Sequence, residues 1–146
     1  IRQSGKVILD SAQVAEWGAP TFDAWIVRKD FAEAHPDAVR GFVKVTGDTY
    51  ASFLANPADW NANSDQAKEI ARLTGAKAED VPTLLKGYVF PPLADQASDA
   101  YLGGATVTAI AATSDFLKEQ GRIEAALGDY SAYVSADYVI DAAKVN

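Results

Sequence analysis

The sequence predicts an α/β chain in which helix dominates and the sheet is incomplete. Two apolar runs, Lys6-Val7-Ile8-Leu9 and Phe22 to Arg28, read as strands. Nearly everything after Arg28 carries helical spacing or helix start and stop residues, with no internal repeat and no low-complexity segment. Two strands do not make an independent sheet. Either they complete a sheet whose other strands lie outside these 146 residues, or the domain is helical with a minor ribbon. The absence of Met, even at position 1, points to the first.

Lys6–Leu9 is closed by Asp10-Ser11 and reads as an edge or terminal strand. In the second run Phe22, Ala24 and Ile26 share one face and Asp23, Trp25 and Val27 the other. Both faces are largely apolar, which predicts a strand covered on both sides. Asp30 and Glu33 have capping-box spacing, and Pro36 restarts or kinks the helix at a first-turn position. Val39, Phe42, Val43, Thr46, Tyr50, Phe53 and Leu54 then follow helical periodicity, predicting a long amphipathic helix that stops near Asn56-Pro57.

Ser64 is placed to cap a helix carrying Ile70 and Leu73, with Gly75 just past its end. Glu79–Lys86 reads as a short helix closed by Gly87, and Gly87–Pro92 as extended, since proline turns its predecessor away from helix. A short helix is expected over Asp95–Leu102, ended by Gly103-Gly104. A second long one is expected over Thr106–Gln120, with Val107, Ile110, Ala111 and Leu117 on one face. Gly128–Ser135 reads as a loop bearing Tyr130 and Tyr133, and Ala136–Ala143 as a terminal helix capped by Ser135.

Composition narrows the function. At 49% hydrophobic and 23% charged residues the chain matches ordinary soluble domains and is long enough for one real core. No apolar run approaches the roughly 20 residues of a membrane helix. Ile1–Gly5 is polar and lacks the apolar stretch of a signal peptide. The net charge is −7, and the 13 Lys and Arg are scattered, which speaks against nucleic acid and against an anionic membrane surface. The absence of Cys removes disulfides, thiolate nucleophiles and Cys-based metal sites.

Few residues are candidates for chemistry. His35, the sole histidine, has no partners at triad or metal-ligand spacing. The acidic pairs Asp115/Glu119 and Asp95/Asp99 fit a solvated helix face better than an acid–base pair. Gly103-Gly104-Ala105-Thr106 has the makings of an anion-binding turn, but more simply ends one helix and starts the next. Tyr88 and Phe90 beside two prolines fit a groove or, more plainly, core anchors. No catalytic residue, metal site or cofactor is expected.

Asp23 differs from these. Phe22, Trp25 and Ile26 around it predict at least partial shielding, and no Lys or Arg lies in the run before Arg28. A buried, unpaired carboxylate costs on the order of several kcal/mol, so it needs a partner. Backbone N–H groups or an Arg from elsewhere would serve, and so would a ligand amine held by a charge-assisted hydrogen bond. Trp17 and Trp25 bracket the acid, and aromatic faces suit an ammonium group.

The run Asp10–Pro36, with Trp17-Gly18-Ala19-Pro20-Thr21-Phe22-Asp23 at its centre, resembles the taurine-binding proteins of bacterial ABC importers. So do Leu73-Thr74-Gly75-Ala76, Phe116–Gly121 and Asp129–Ser135, and together these cover nearly the whole chain. The wider sulfonate and nitrate families share less of the Trp17–Asp23 segment. The resemblance implies the helix-rich C-terminal portion of a two-lobed type II periplasmic binding protein fold, with ligand held between the lobes. Residues 1–17 would end the second lobe, 18–21 would be a hinge crossing, and 22–146 would form the C-terminal part of the first lobe.

It further implies that Asp23 holds the ligand's ammonium group, with Trp17 and Thr21 as flanking cleft residues. The implied protein is periplasmic, takes taurine or a similar small sulfonate, delivers it to an ABC permease of the inner membrane and does no chemistry on it. Three other readings stand beside this one: a binding protein for alkanesulfonate or nitrate, a desulfinase-like enzyme on the same fold, and a helical interaction module. A chain with open strand edges is also expected to fold with its other half or to pair with a copy of itself.

Overall fold

The computed structural model describes residues 5–18 and 20–144. Its helices are α1 Ser11–Glu16, α2 Lys29–Ala34, α3 Pro36–Ala55, α4 Asp65–Thr74, α5 Val81–Leu85, α6 Leu93–Gln96, α7 Ala105–Glu119 and α8 Asp137–Lys144. Single 3₁₀ turns lie at Pro57–Asp59 and Ser131–Tyr133. Among the described residues no helix is long and apolar enough to cross a membrane.

Local sequence explains most helix ends. Pro36 opens α3 at a position where its missing N–H costs nothing. Ser64 caps α4, its Oγ accepting from the Ala67 N–H at 3.1 Å, and Gly75 closes it in the left-handed region at φ 74°. The Asp137 N–H donates to Ser135 Oγ at 3.2 Å, ahead of α8.

α3 is the spine. α2 folds back on it, α8 packs along it, and α6 lies against α8. Ala32, Val39, Val139 and Ala142 are buried at these contacts. The Tyr138 hydroxyl donates to the Ala32 carbonyl at 3.2 Å, joining α8 to α2 across the chain. Gly47 lets α6 come close to α3: a Cβ there would stand 2.4 Å from Leu93 Cγ. At the far end of α3, Phe53 meets Trp60 and Phe90 edge-on at 5.5 and 5.2 Å, and Phe90 also packs on Tyr50 at 5.0 Å. Phe90 is thus a core anchor, whereas Tyr88 is exposed. Val81 is fully buried where α5 meets α4.

Three expectations are corrected, and one helix that the pattern does not predict is present. Neither Lys6–Leu9 nor Phe22–Arg28 forms a strand, and no strand occurs among the described residues. Strand structure exists only with a partner ladder, and from Thr21 to Val27 no backbone group bonds to a described residue. The Asp30–Glu33 capping box is absent. α2 begins two residues earlier with Arg28 as its N-cap, and the Asp30 carboxylate binds the Arg28 guanidinium and the Phe31 N–H instead. The helix expected over Asp95–Leu102 stops at Gln96. Ser98 Oγ donates to the Asp95 carbonyl, and the N–H groups of Leu102 and Gly103 return to Gln96 and Ser98, so successive turns replace it. Finally, Ser11–Glu16 is helix, capped reciprocally by Asp10 and Gln13.

Candidate functional site

The segment that carries Asp23 hangs between two local devices. α1 ends at Trp17, and Gly18 turns the chain in the left-handed region at φ 89°. From Pro20 the chain runs without regular secondary structure to Arg28, whose φ and ψ (−65°, 135°) are extended as it caps α2. Along this run only one aromatic contact with the helical body is found among the described residues. Trp25 meets Phe42 of α3 edge-to-face, with centroids 5.0 Å apart and planes at 86°.

Asp23 is exposed, which corrects the expectation of shielding. No hydrogen bond or ion pair reaches its carboxylate from a described residue. Its neighbours screen it only if a further layer packs on them. Without that layer Ile26 is 95% exposed and Trp25 73%. Burial therefore makes no case for a cationic guest here, and the case rests on likeness. Trp17 is also open, at 72%, as is Thr21. Arg28, the nearest cation in sequence, is engaged elsewhere. Its pairing with Asp30 raises the guanidinium pKa and lowers that of the carboxyl.

One surface depression, about 520 Å³ and wide open, lies beyond Asp23, between Ile26–Arg28 and the α2 residues Asp30, Phe31 and Ala34, with His35 at its edge. It brings together none of Asp23, Trp17 and Thr21. His35 rests on Phe31 with ring centroids 4.9 Å apart. No group of three or more potential metal ligands occurs among the described residues.

The glycine pair is not an anion cradle: the N–H groups of Gly103, Gly104, Ala105 and Thr106 are already bonded to Ser98, Tyr101 and Asp99 carbonyls. Sequence reasoning missed Phe42 as a contact of this segment. It reads as one more core position of a periodic helix, yet it is 48% exposed and serves Trp25.

No family model matches the chain. It is 45% identical, over 139 residues, to the taurine-binding periplasmic protein of Escherichia coli (strain K12). The match covers 95% of the chain but 43% of the relative, so the chain spans less than half the length of the protein it resembles. The aligned stretch is long enough to include most of the helical body as well as the extended run. The likeness therefore does not rest on one motif.

Proposed function

We propose that this chain is part of the solute-binding component of an ABC importer, and that the solute is taurine or a similar small aminosulfonate. The observation that carries the reading is the 45% identity over 139 residues to a protein whose name states both taurine and the periplasm. On this reading residues 1–17 end one lobe of a two-lobed α/β fold, 18–21 cross between the lobes, and 22–146 belong to the other. The positive φ of Gly18 supports a pivot there, since that region of backbone space is open to glycine and rarely adopted by residues with side chains.

The unpaired backbone of Thr21–Val27 is then a sheet strand whose neighbours come from the portion of the family's length that the chain does not span. The same portion would supply cover on both faces, for Phe22 and Ile26 on one and for the Asp23 carboxylate on the other. Asp23 would hold the ligand's ammonium group by a charge-assisted hydrogen bond, with Trp17 and Thr21 beside it. The sulfonate would be met by donors from the other portion. Lobe closure would present the loaded form to a permease of the inner membrane. The protein would be periplasmic and would leave the ligand chemically unchanged.

Titration calorimetry of taurine against the intact protein and its Asp23→Asn variant tests this. Loss of one partner of a buried charge pair costs roughly 2–5 kcal/mol, so affinity should fall at least tenfold. Equal affinity in the variant rejects Asp23 as the amine site. Tighter binding of nitrate or a simple alkanesulfonate rejects the choice of ligand.

A further inference from the structure

We infer that Trp25 is a positioning residue for the Asp23 carboxylate, and that it acts by docking on Phe42. This deepens the binding reading above and rests on it for the identity of the ligand.

Thr21–Val27 has no hydrogen bond to a described residue, so among the described residues its place against the helices rests on side-chain contact and on its continuity into α2. Among the described residues its aromatic contact is the Trp25–Phe42 pair, whose perpendicular planes and 5.0 Å separation give the favoured edge-to-face geometry. Phe42 stands on α3 between Val39 and Gly47, two of the positions by which that helix is packed into the body. The anchor therefore belongs to the most constrained element of the fold.

Asp23 and Trp25 are two residues apart, so at most about 7 Å of backbone separates them. Fixing the indole fixes the carboxylate to within that short span. The two tryptophans thus have different tasks. The sequence brackets Asp23 with Trp17 and Trp25 alike, but Trp25 is committed to Phe42, while no aromatic partner of Trp17 is found among the described residues. Trp17 is left to face a ligand, and Trp25 holds the frame.

The test is a double-mutant cycle on the intact protein with taurine as the probe. Trp25→Ala and Phe42→Ala should each weaken binding about threefold to tenfold, the range that an edge-to-face pair supplies. The double variant should be no weaker than the worse single one, and Trp25→Phe should restore most of the affinity. Unchanged binding in Trp25→Ala, or losses that simply multiply in the double variant, overturns the inference while leaving the taurine reading intact.

A wild-type protein that ignores taurine sinks that reading alone, because a ligand-free measurement still decides this one. The Asp23 amide order parameter should drop in Phe42→Ala, toward the range below about 0.6 typical of loose backbone. No change there overturns the positioning role.

Discussion

The residues before Lys29 and those from Lys29 onward obey different rules. Among the described residues every buried apolar one lies in the later region, from Ala32 to Ala142. The described part of the earlier region has none, yet it displays Ile8, Trp17, Phe22, Trp25 and Ile26 to solvent. Hydrophobic content does not separate them, since both are rich in large apolar side chains. Backbone chemistry does. A helix satisfies its N–H and C=O groups within one segment, so the later region reaches its structure with its own residues. An extended run needs a neighbour for every such group, and Thr21–Val27 has none here. A short α1 between two such runs, six residues long, is below the length at which a helix stands alone. The earlier region is thus built for contacts that the later region does not supply.

The sharpest way to break this contrast is to remove one tryptophan from each side. Trp60 is 8% exposed and packed on Phe53, so Trp60→Ala should cost about 3–5 kcal/mol, as large aromatic truncations in cores do. Trp17 is 72% exposed with no core around it, so Trp17→Ala should change stability by no more than about 0.5 kcal/mol. Urea denaturation of the two variants of this chain reads both. A comparable loss from Trp17→Ala would mean that the earlier region is packed after all.

A second contrast lies within α3. At Gly41 an added Cβ meets nothing within 4 Å, so Gly41→Ala should gain about 0.5–1 kcal/mol from helix propensity alone. At Gly47 the same atom would collide with the whole Leu93 side chain, its Cγ, Cδ1 and Cδ2 standing at 2.4 to 2.7 Å. Overpacking costs about 1–3 kcal/mol, which exceeds the propensity gain, so Gly47→Ala should destabilise. Thermal melts of the pair should move in opposite directions. Movement in the same direction would show that α6 is free to slide away from α3.

What the sequence disclosed follows the same division. Pro36, Ser64, Gly75 and Ser135 are legible as helix boundaries because a cap is made within three or four residues, and each stands where the pattern puts it. The length of α3 is legible from its periodicity for the same reason. α1 was equally available in Asp10-x-x-Gln13, a capping box overshadowed by the apolar run before it. Asp30 misleads because Arg28, two residues back, takes the carboxylate that a cap would have used. Whether the apolar runs become strands, and whether Asp23 is sheltered, is not decided by local residues at all. Apolar alternation marks a surface that wants cover, and it says nothing of whether the cover is present. The proposal of Asp23 as a site residue therefore rests on likeness of residues.

The smallest expected effect is confined to a loop of the later region. The Asp129 carboxylate accepts from Ser131 Oγ at 2.6 Å and from the Ser131 N–H at 2.8 Å, and the hydroxyl contact first, then the backbone one, lowers its pKa. A carboxyl held below its unfolded value contributes stability that is present above that value and is lost as pH falls through the folded one. Asp129→Asn keeps an acceptor oxygen but cannot ionise. Wild type should therefore exceed the variant by a small, constant margin from neutral pH down to about 4, and the margin should close below about 3.9, the ordinary carboxyl value of Asp. Denaturant midpoints of both proteins across that range supply the test. A margin that persists in acid would assign the benefit to the shape of the Asp129–Ser131 turn and not to the charge of its acceptor.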